Sequence, residues 1–112
     1  MIRVGVIGVG ALGRHHARLY AACDSAELVG VTDPQPEAAK KIAEEYGCAV
    51  FSDVASLCAE VEAVSVAVPT DLHHQVVTEV LALDCHVLVE KPLAGSAAES
   101  NDLVSQAAAA GK

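Results

Sequence analysis

The sequence predicts an α/β fold, a doubly wound parallel sheet with helices on both faces, and three observations carry that expectation. Short β-branched runs alternate with amphipathic stretches along the whole chain, and the runs are apolar on both faces. The first of them is followed at once by a glycine-rich turn that opens a helix. Strands of this kind, separated by helices, must pair in parallel, and right-handed crossovers then bury helices against both sides of the sheet.

Taken in order, RVGVIG is the first strand and Ala11 to Cys23 the first helix. ELVGVTD follows as the second strand, Glu37 to Tyr46 as a helix, and AVF as a short third strand. A short helix opens at Ser52 and Asp53, residues whose side chains can accept from free first-turn amides. AVSVAV makes the fourth strand, Leu72 to Leu83 a helix, and HVLVE the fifth strand. Ser96 and Glu99 form a capping box for the last helix, and Gly111 supplies its left-handed exit. The expected strand order is 3-2-1-4-5, with the chain stopping where a sixth strand would begin.

One domain spanning residues 1–112 is expected, because 112 residues at 53% hydrophobic content support one core and show neither a low-complexity linker nor a repeat. A net charge of −8 repels phosphate backbones and anionic lipid, and the few basic residues form no patch, so neither nucleic acid nor membrane is an expected partner. The N-terminal stretch has glycines spaced for a turn rather than an apolar helix, which argues against an export signal. Cys23, Cys48, Cys58 and Cys85 form no CxxC pair and no metal-ligand cluster. They are expected as buried thiols in a cytoplasmic protein, with no metal site.

Directly after the first strand comes GVGALG, in which Gly8, Gly10 and Gly13 have the GxGxxG spacing. Gly8 permits the tight turn, Gly10 lets the backbone approach a pyrophosphate, and Gly13 lets the helix press on the strand. The free amides near Ala11 and Leu12 would then face the anion. Asp33 ends the second strand, 20 residues beyond Gly13, where a carboxylate can accept both ribose hydroxyls of an adenosine. It could also simply begin the turn Asp33-Pro34-Gln35-Pro36. A 2′-phosphate would meet the Asp33 charge with no arginine nearby to receive it, so NAD is the expected cofactor and NADP the poorer one. The sequence thus describes a dinucleotide-binding Rossmann domain.

In such a sheet the ligand lies across the carboxyl ends of the strands, here PTDLHH and EKPL. Pro69 and Thr70 turn the chain off the fourth strand, and the helix start near His73 brings amides and an imidazole toward the cofactor. His73 is expected either as a contact with the cofactor or as a solvated first-turn residue of the helix, and His74 as the latter. His16 is placed with Leu12, Leu19 and Cys23 on a packing stripe, with His15 outside it. Pro92 holds Lys91 extended, and an ammonium fixed there can orient a substrate hydroxyl and stabilise charge as its proton leaves. Otherwise Glu90 and Lys91 are an ordinary surface ion pair.

With the glycine loop, VTDP, AVPTDLHH and HVLVEKPLA in order, the chain resembles the N-terminal domain of the glucose-fructose oxidoreductase / inositol dehydrogenase (Gfo/Idh/MocA) family over essentially its whole length. Of these motifs EKP is the most specific. The resemblance implies NAD(P)-dependent oxidation or reduction of a hydroxyl on a sugar, cyclitol or sugar nucleotide. In that reading Lys91 is the catalytic motif lysine and Glu90 lines the cofactor site. It also implies a C-terminal substrate domain, absent from these residues, that carries a further acid/base and mediates homo-oligomerisation. GVGALGRHHARLY and SVAVPT are similar to members acting on UDP-N-acetylhexosamines. One departure is Asp84, where the family commonly has glycine before the fifth strand; aspartate tolerates a left-handed exit better than most residues. A rival reading, a non-catalytic module that binds NAD(H) and reports it to a partner, differs in having no use for the Lys91 ammonium.

Overall fold

The structure, a computed structural model, describes residues 1–89 and 97–111. Five strands, β1 (Ile2–Ile7), β2 (Ala26–Thr32), β3 (Ala49–Val50), β4 (Ala63–Val66) and β5 (His86–Val89), form one parallel sheet in the order β3-β2-β1-β4-β5. The helices between them are α1 (Ala11–Ala22), α2 (Pro36–Tyr46), α3 (Val54–Cys58) and α4 (His73–Ala82), and α5 (Ala97–Ala110) comes last. The doubly wound sheet and its strand order are as the sequence predicts. The reversal of direction lies between β1 and β4, which leaves a crevice at their carboxyl ends.

Successive side chains of β1 point to opposite faces, and both faces are covered. Val6 joins Val31 with Ala17, Ile42 and Ala43 of α1 and α2 on one side. Ile7 joins Val64, Val66, Leu57, Val77, Val80 and Leu103 on the other, against α3, α4 and α5. This is why the central strands read as unbroken apolar runs.

Helix α1 sits differently from its expected stripe. Gly13, His16 and Ala17 are its buried residues, while Leu12, Leu19 and Cys23 are exposed. Small residues let the helix lie close on the sheet, and the Tyr20 hydroxyl reaches across to the Ser65 Oγ at 2.6 Å. His16 is therefore a packing residue, as expected, and His15 is exposed. The cysteines divide as well: Cys58 and Cys85 are buried, Cys48 is partly covered, and Cys23 lies at the surface.

Helix ends follow their sequence cues. The Asp53 carboxylate accepts from the Ser56 amide at 2.7 Å and caps α3, which holds its pKa below the ordinary aspartate value. Asp84 takes the left-handed conformation at φ 63°, and Gly111 leaves α5 at φ 75°. Glu99 lies in the first turn of α5, but Ser96, the other half of its expected capping box, lies outside the described residues. No described helix is long and apolar enough to cross a membrane.

Candidate cofactor cleft

The cleft is built where β1 ends. Gly8 turns the chain with φ 88°, its amide donating to the Thr32 carbonyl at 2.9 Å, and this ties the turn to β2. A side chain on Gly8 would meet the Ala67 carbonyl at 2.8 Å, and one on Gly13 would run into the Gly8 carbonyl. The loop is thus compressed between β4 and its own helix, and glycine is required at both places. Gly10 is different. A Cβ there would meet no atom within 4 Å, so its backbone faces open space.

Gly10 is also the N-cap of α1, which has no side-chain cap and no acidic residue in its first turn. The first amides of the helix, at Ala11 and Leu12, and the positive end of its dipole are left for a ligand. Asp33 stands opposite. Its Oδ2 accepts from the Val9 amide at 2.8 Å, and its Oδ1 accepts from the Gln35 amide at 2.8 Å. The two readings of this residue are therefore joined: Asp33 heads the Pro34–Gln35 turn and pins the glycine loop with one carboxylate. An ionised carboxylate has about four acceptor sites, so about two remain for hydroxyl groups.

These residues enclose a cavity of about 550 Å³ lined by Gly8, Gly10, Ala11, Leu12, Asp33, Pro34, Gln35, Ala67, Val68, Pro69 and Leu72. Six of the sequence-predicted residues, Gly8, Gly10, Ala11, Leu12, Asp33 and Pro69, meet on its wall, and Gly13 packs behind it. Thr70 begins a short 3-10 turn and is half-buried. His73 is not brought to the wall: the residue is 3% exposed and its Nε2 lies 2.9 Å from the Val68 carbonyl oxygen. His74, expected to be merely solvated, contacts Asp102 at 2.7 Å and Glu99 at 3.7 Å on α5. Glu90 and Lys91 lie outside the described residues.

A second cavity, of about 290 Å³, adjoins the first across Asp33, Pro34, Val68 and Leu72. Its remaining wall comes from Ile7, Thr32, Ser52, Asp53, Val54, Val76 and Glu79. Sequence reasoning did not assign Val54 and Val76 to a site, because each occupies an apolar helical position that reads as core. The cue available was positional: Val54 follows the end of β3, and strand ends on this edge border the crevice.

The arrangement fits a dinucleotide. It offers an open backbone and free amides for a pyrophosphate, a carboxylate with spare acceptors for a ribose, and an adjoining apolar slot for a flat base. Among the described residues no group of three or more His, Cys, Asp or Glu side chains could hold a metal ion.

Comparison with known proteins agrees with this geometry. Residues 2–112 match the family model described as an oxidoreductase family with an NAD-binding Rossmann fold, GFO_IDH_MocA. The UDP-N-acetylglucosamine 3-dehydrogenase of Acidithiobacillus ferrooxidans is 42% identical over 106 residues, covering 95% of this chain and 33% of that protein. Its solved structure superposes with a TM-score of 0.94 over 98% of this chain and 36% of the other. An inositol 2-dehydrogenase of Rhizobium meliloti is 34% identical over 93 residues, 82% of this chain and 28% of that protein. GenD2 from gentamicin A biosynthesis, solved in complex with NAD, is 30% identical with a TM-score of 0.94 over 98% of this chain and 32% of the other. The chain thus spans about a third of the length of the curated relatives it matches. A glycine loop pinned by a strand-end carboxylate, and a family match over nearly every residue, place the chain in the Gfo/Idh/MocA oxidoreductase family as its NAD-binding Rossmann portion.

Proposed function

We propose that residues 1–112 are the cofactor-binding domain of an oxidoreductase that transfers a hydride between NAD and a hydroxyl of a sugar, cyclitol or sugar nucleotide. The single observation that carries the reading is Asp33, held by the Val9 and Gln35 amides at the rim of the 550 Å³ cavity. Gly10, Ala11 and Leu12 take the pyrophosphate on backbone amides, Asp33 takes the adenosine ribose hydroxyls, and the slot lined by Val54, Val68 and Val76 takes the adenine. The same Asp33 charge disfavours a 2′-phosphate, so NAD is preferred over NADP. When bound, the nicotinamide supplies the hydride acceptor or donor.

Lys91 is assigned to orient the substrate hydroxyl and stabilise the charge that develops as its proton leaves, with Glu90 beside the cofactor. The likeness to a UDP-N-acetylglucosamine 3-dehydrogenase favours UDP-N-acetylhexosamines within the substrate class. We assign a substrate domain and homo-oligomer contacts to a portion of the protein outside residues 1–112. The free thiols suit a reducing compartment, the cytoplasm.

The test is calorimetric titration of NAD and NADP into the parent chain and Asp33→Ala. NAD affinity is expected to fall by about 1–3 kcal/mol in the variant while the preference against NADP relaxes. Equal NAD affinity in both would remove Asp33 from the ribose site. Lys91→Ala, made in a protein that includes a substrate domain, separates an enzyme from a regulatory module: NAD affinity stays near the parent value and turnover collapses only in the enzyme.

A further inference from the structure

His73 opens α4, three residues after the 3-10 turn begins at Thr70, and yet its ring is turned inward. The partner of Nε2 is the carbonyl of Val68, five residues earlier and at 2.9 Å. A carbonyl can only accept, so Nε2 carries the proton and donates. Val68 is one residue past the last link of β4 to β1, the Ala67 amide on the Ile7 carbonyl at 2.8 Å. It precedes Pro69, which has no amide hydrogen to donate to a neighbouring strand.

Val68 is also one of the residues that the two cavities share. Its Cγ1 lies 3.2 Å from where a Gly8 side chain would begin, so the position of Val68 sets the clearance of the glycine loop as well. From this we infer that His73 is a positioning residue of the cleft: it fixes the Val68 carbonyl, and through it the wall common to both cavities, without touching a ligand itself. The inference rests on reading the cleft as the NAD site. It replaces the expected direct contact of His73 with an indirect one.

The experiment is fluorescence titration of NADH into the parent chain, His73→Ala and His73→Gln, with circular dichroism on each to establish folding. The glutamine amide can donate from nearly the place of Nε2. His73→Ala is expected to weaken NADH on the order of tenfold, and His73→Gln to recover most of the loss. Nitrogen-15 NMR of the histidine rings should show the Nε2–H tautomer for the resonance that His73→Gln removes. Folded His73→Ala binding NADH like the parent, His73→Gln as weak as alanine, or the Nδ1–H tautomer would each overturn the inference while leaving the cleft reading intact. Should His73→Ala fail to fold, the glutamine variant and the tautomer decide. A folded parent that does not bind NADH would overturn the cleft reading, and the inference with it.

Discussion

Two glycines three residues apart do different work, and the difference can be measured. Gly13 faces the Gly8 carbonyl so closely that a methyl group has no room, and the obstacle is backbone, which yields poorly. Gly10 has nothing within 4 Å of the same construction and sits at φ −67°, a value open to alanine. Gly13→Ala should therefore cost about 1–3 kcal/mol of stability by overpacking. Gly10→Ala should stay within about 1 kcal/mol of the parent in stability, the worth of a helix cap. Its methyl group would occupy the approach to the pyrophosphate, so NADH affinity should fall instead. Thermal melts and NADH titrations on both variants check the pair, and a Gly10→Ala chain that binds NADH like the parent would show that the ligand does not approach this backbone.

At the scale of an element, α5 meets α4 through the buried Leu103 and through a polar cluster. His74 contacts Asp102 at 2.7 Å, and the Gln106 amide donates to the same carboxylate at 2.7 Å and to the Thr78 hydroxyl at 3.2 Å. The His74 contact, then the Gln106 amide, hold the Asp102 pKa below its ordinary 3.8. A depressed carboxylate contributes above its unfolded pKa and loses that contribution as pH falls through the folded value. Amide exchange in α5, corrected for intrinsic rates, should therefore lose protection a few-fold more than in α1 between pH 5 and pH 3. Asp102→Ala should show the lower protection at both values. This contact was invisible in the sequence, since His74 and Asp102 are 28 positions apart and no spacing rule joins them. Elements themselves were legible because the central strands are buried on both faces over most of their length and have no polar side to confuse the pattern. Helix α1 departs from its expected stripe for a related reason. Its packing face is made of Gly13, His16 and Ala17, while the large apolar residues Leu12 and Leu19 lie outward, so reading by size chose the wrong side. In the site, glycine spacing and the strand-end aspartate were readable as local chemistry, whereas the role of His73 depends on a carbonyl whose position only the fold supplies.

For the molecule as a whole, the sheet separates two apolar clusters, and the larger holds both buried cysteines. The Cys85 thiol donates to the carbonyls of Cys58 and Val61 at 3.5 Å each, so these side chains are fixed inside the packing rather than beside it. Burial, and then the neighbouring Cys85, push the Cys58 thiol from 9.0 up to about 12. Below pH 9 Cys58 is protonated whether the chain is folded or not. Above it the unfolded chain releases that proton while the folded chain keeps it until about pH 12, so the stability contributed by a neutral Cys58 declines across this window. Urea midpoints should accordingly fall between pH 8 and pH 10.5, and less steeply in Cys58→Ala. The same burial predicts which thiols a reagent can find. Iodoacetamide at pH 8 should modify exposed Cys23 in the native chain, while Cys58 and Cys85 wait for the opening of the sheet and label at the rate of global unfolding. Cys58 labelling as fast as Cys23 would mean that α3 lifts from the sheet by itself. The crevice wall formed by Val54 would then be a mobile part of the cofactor site rather than part of one cooperative core.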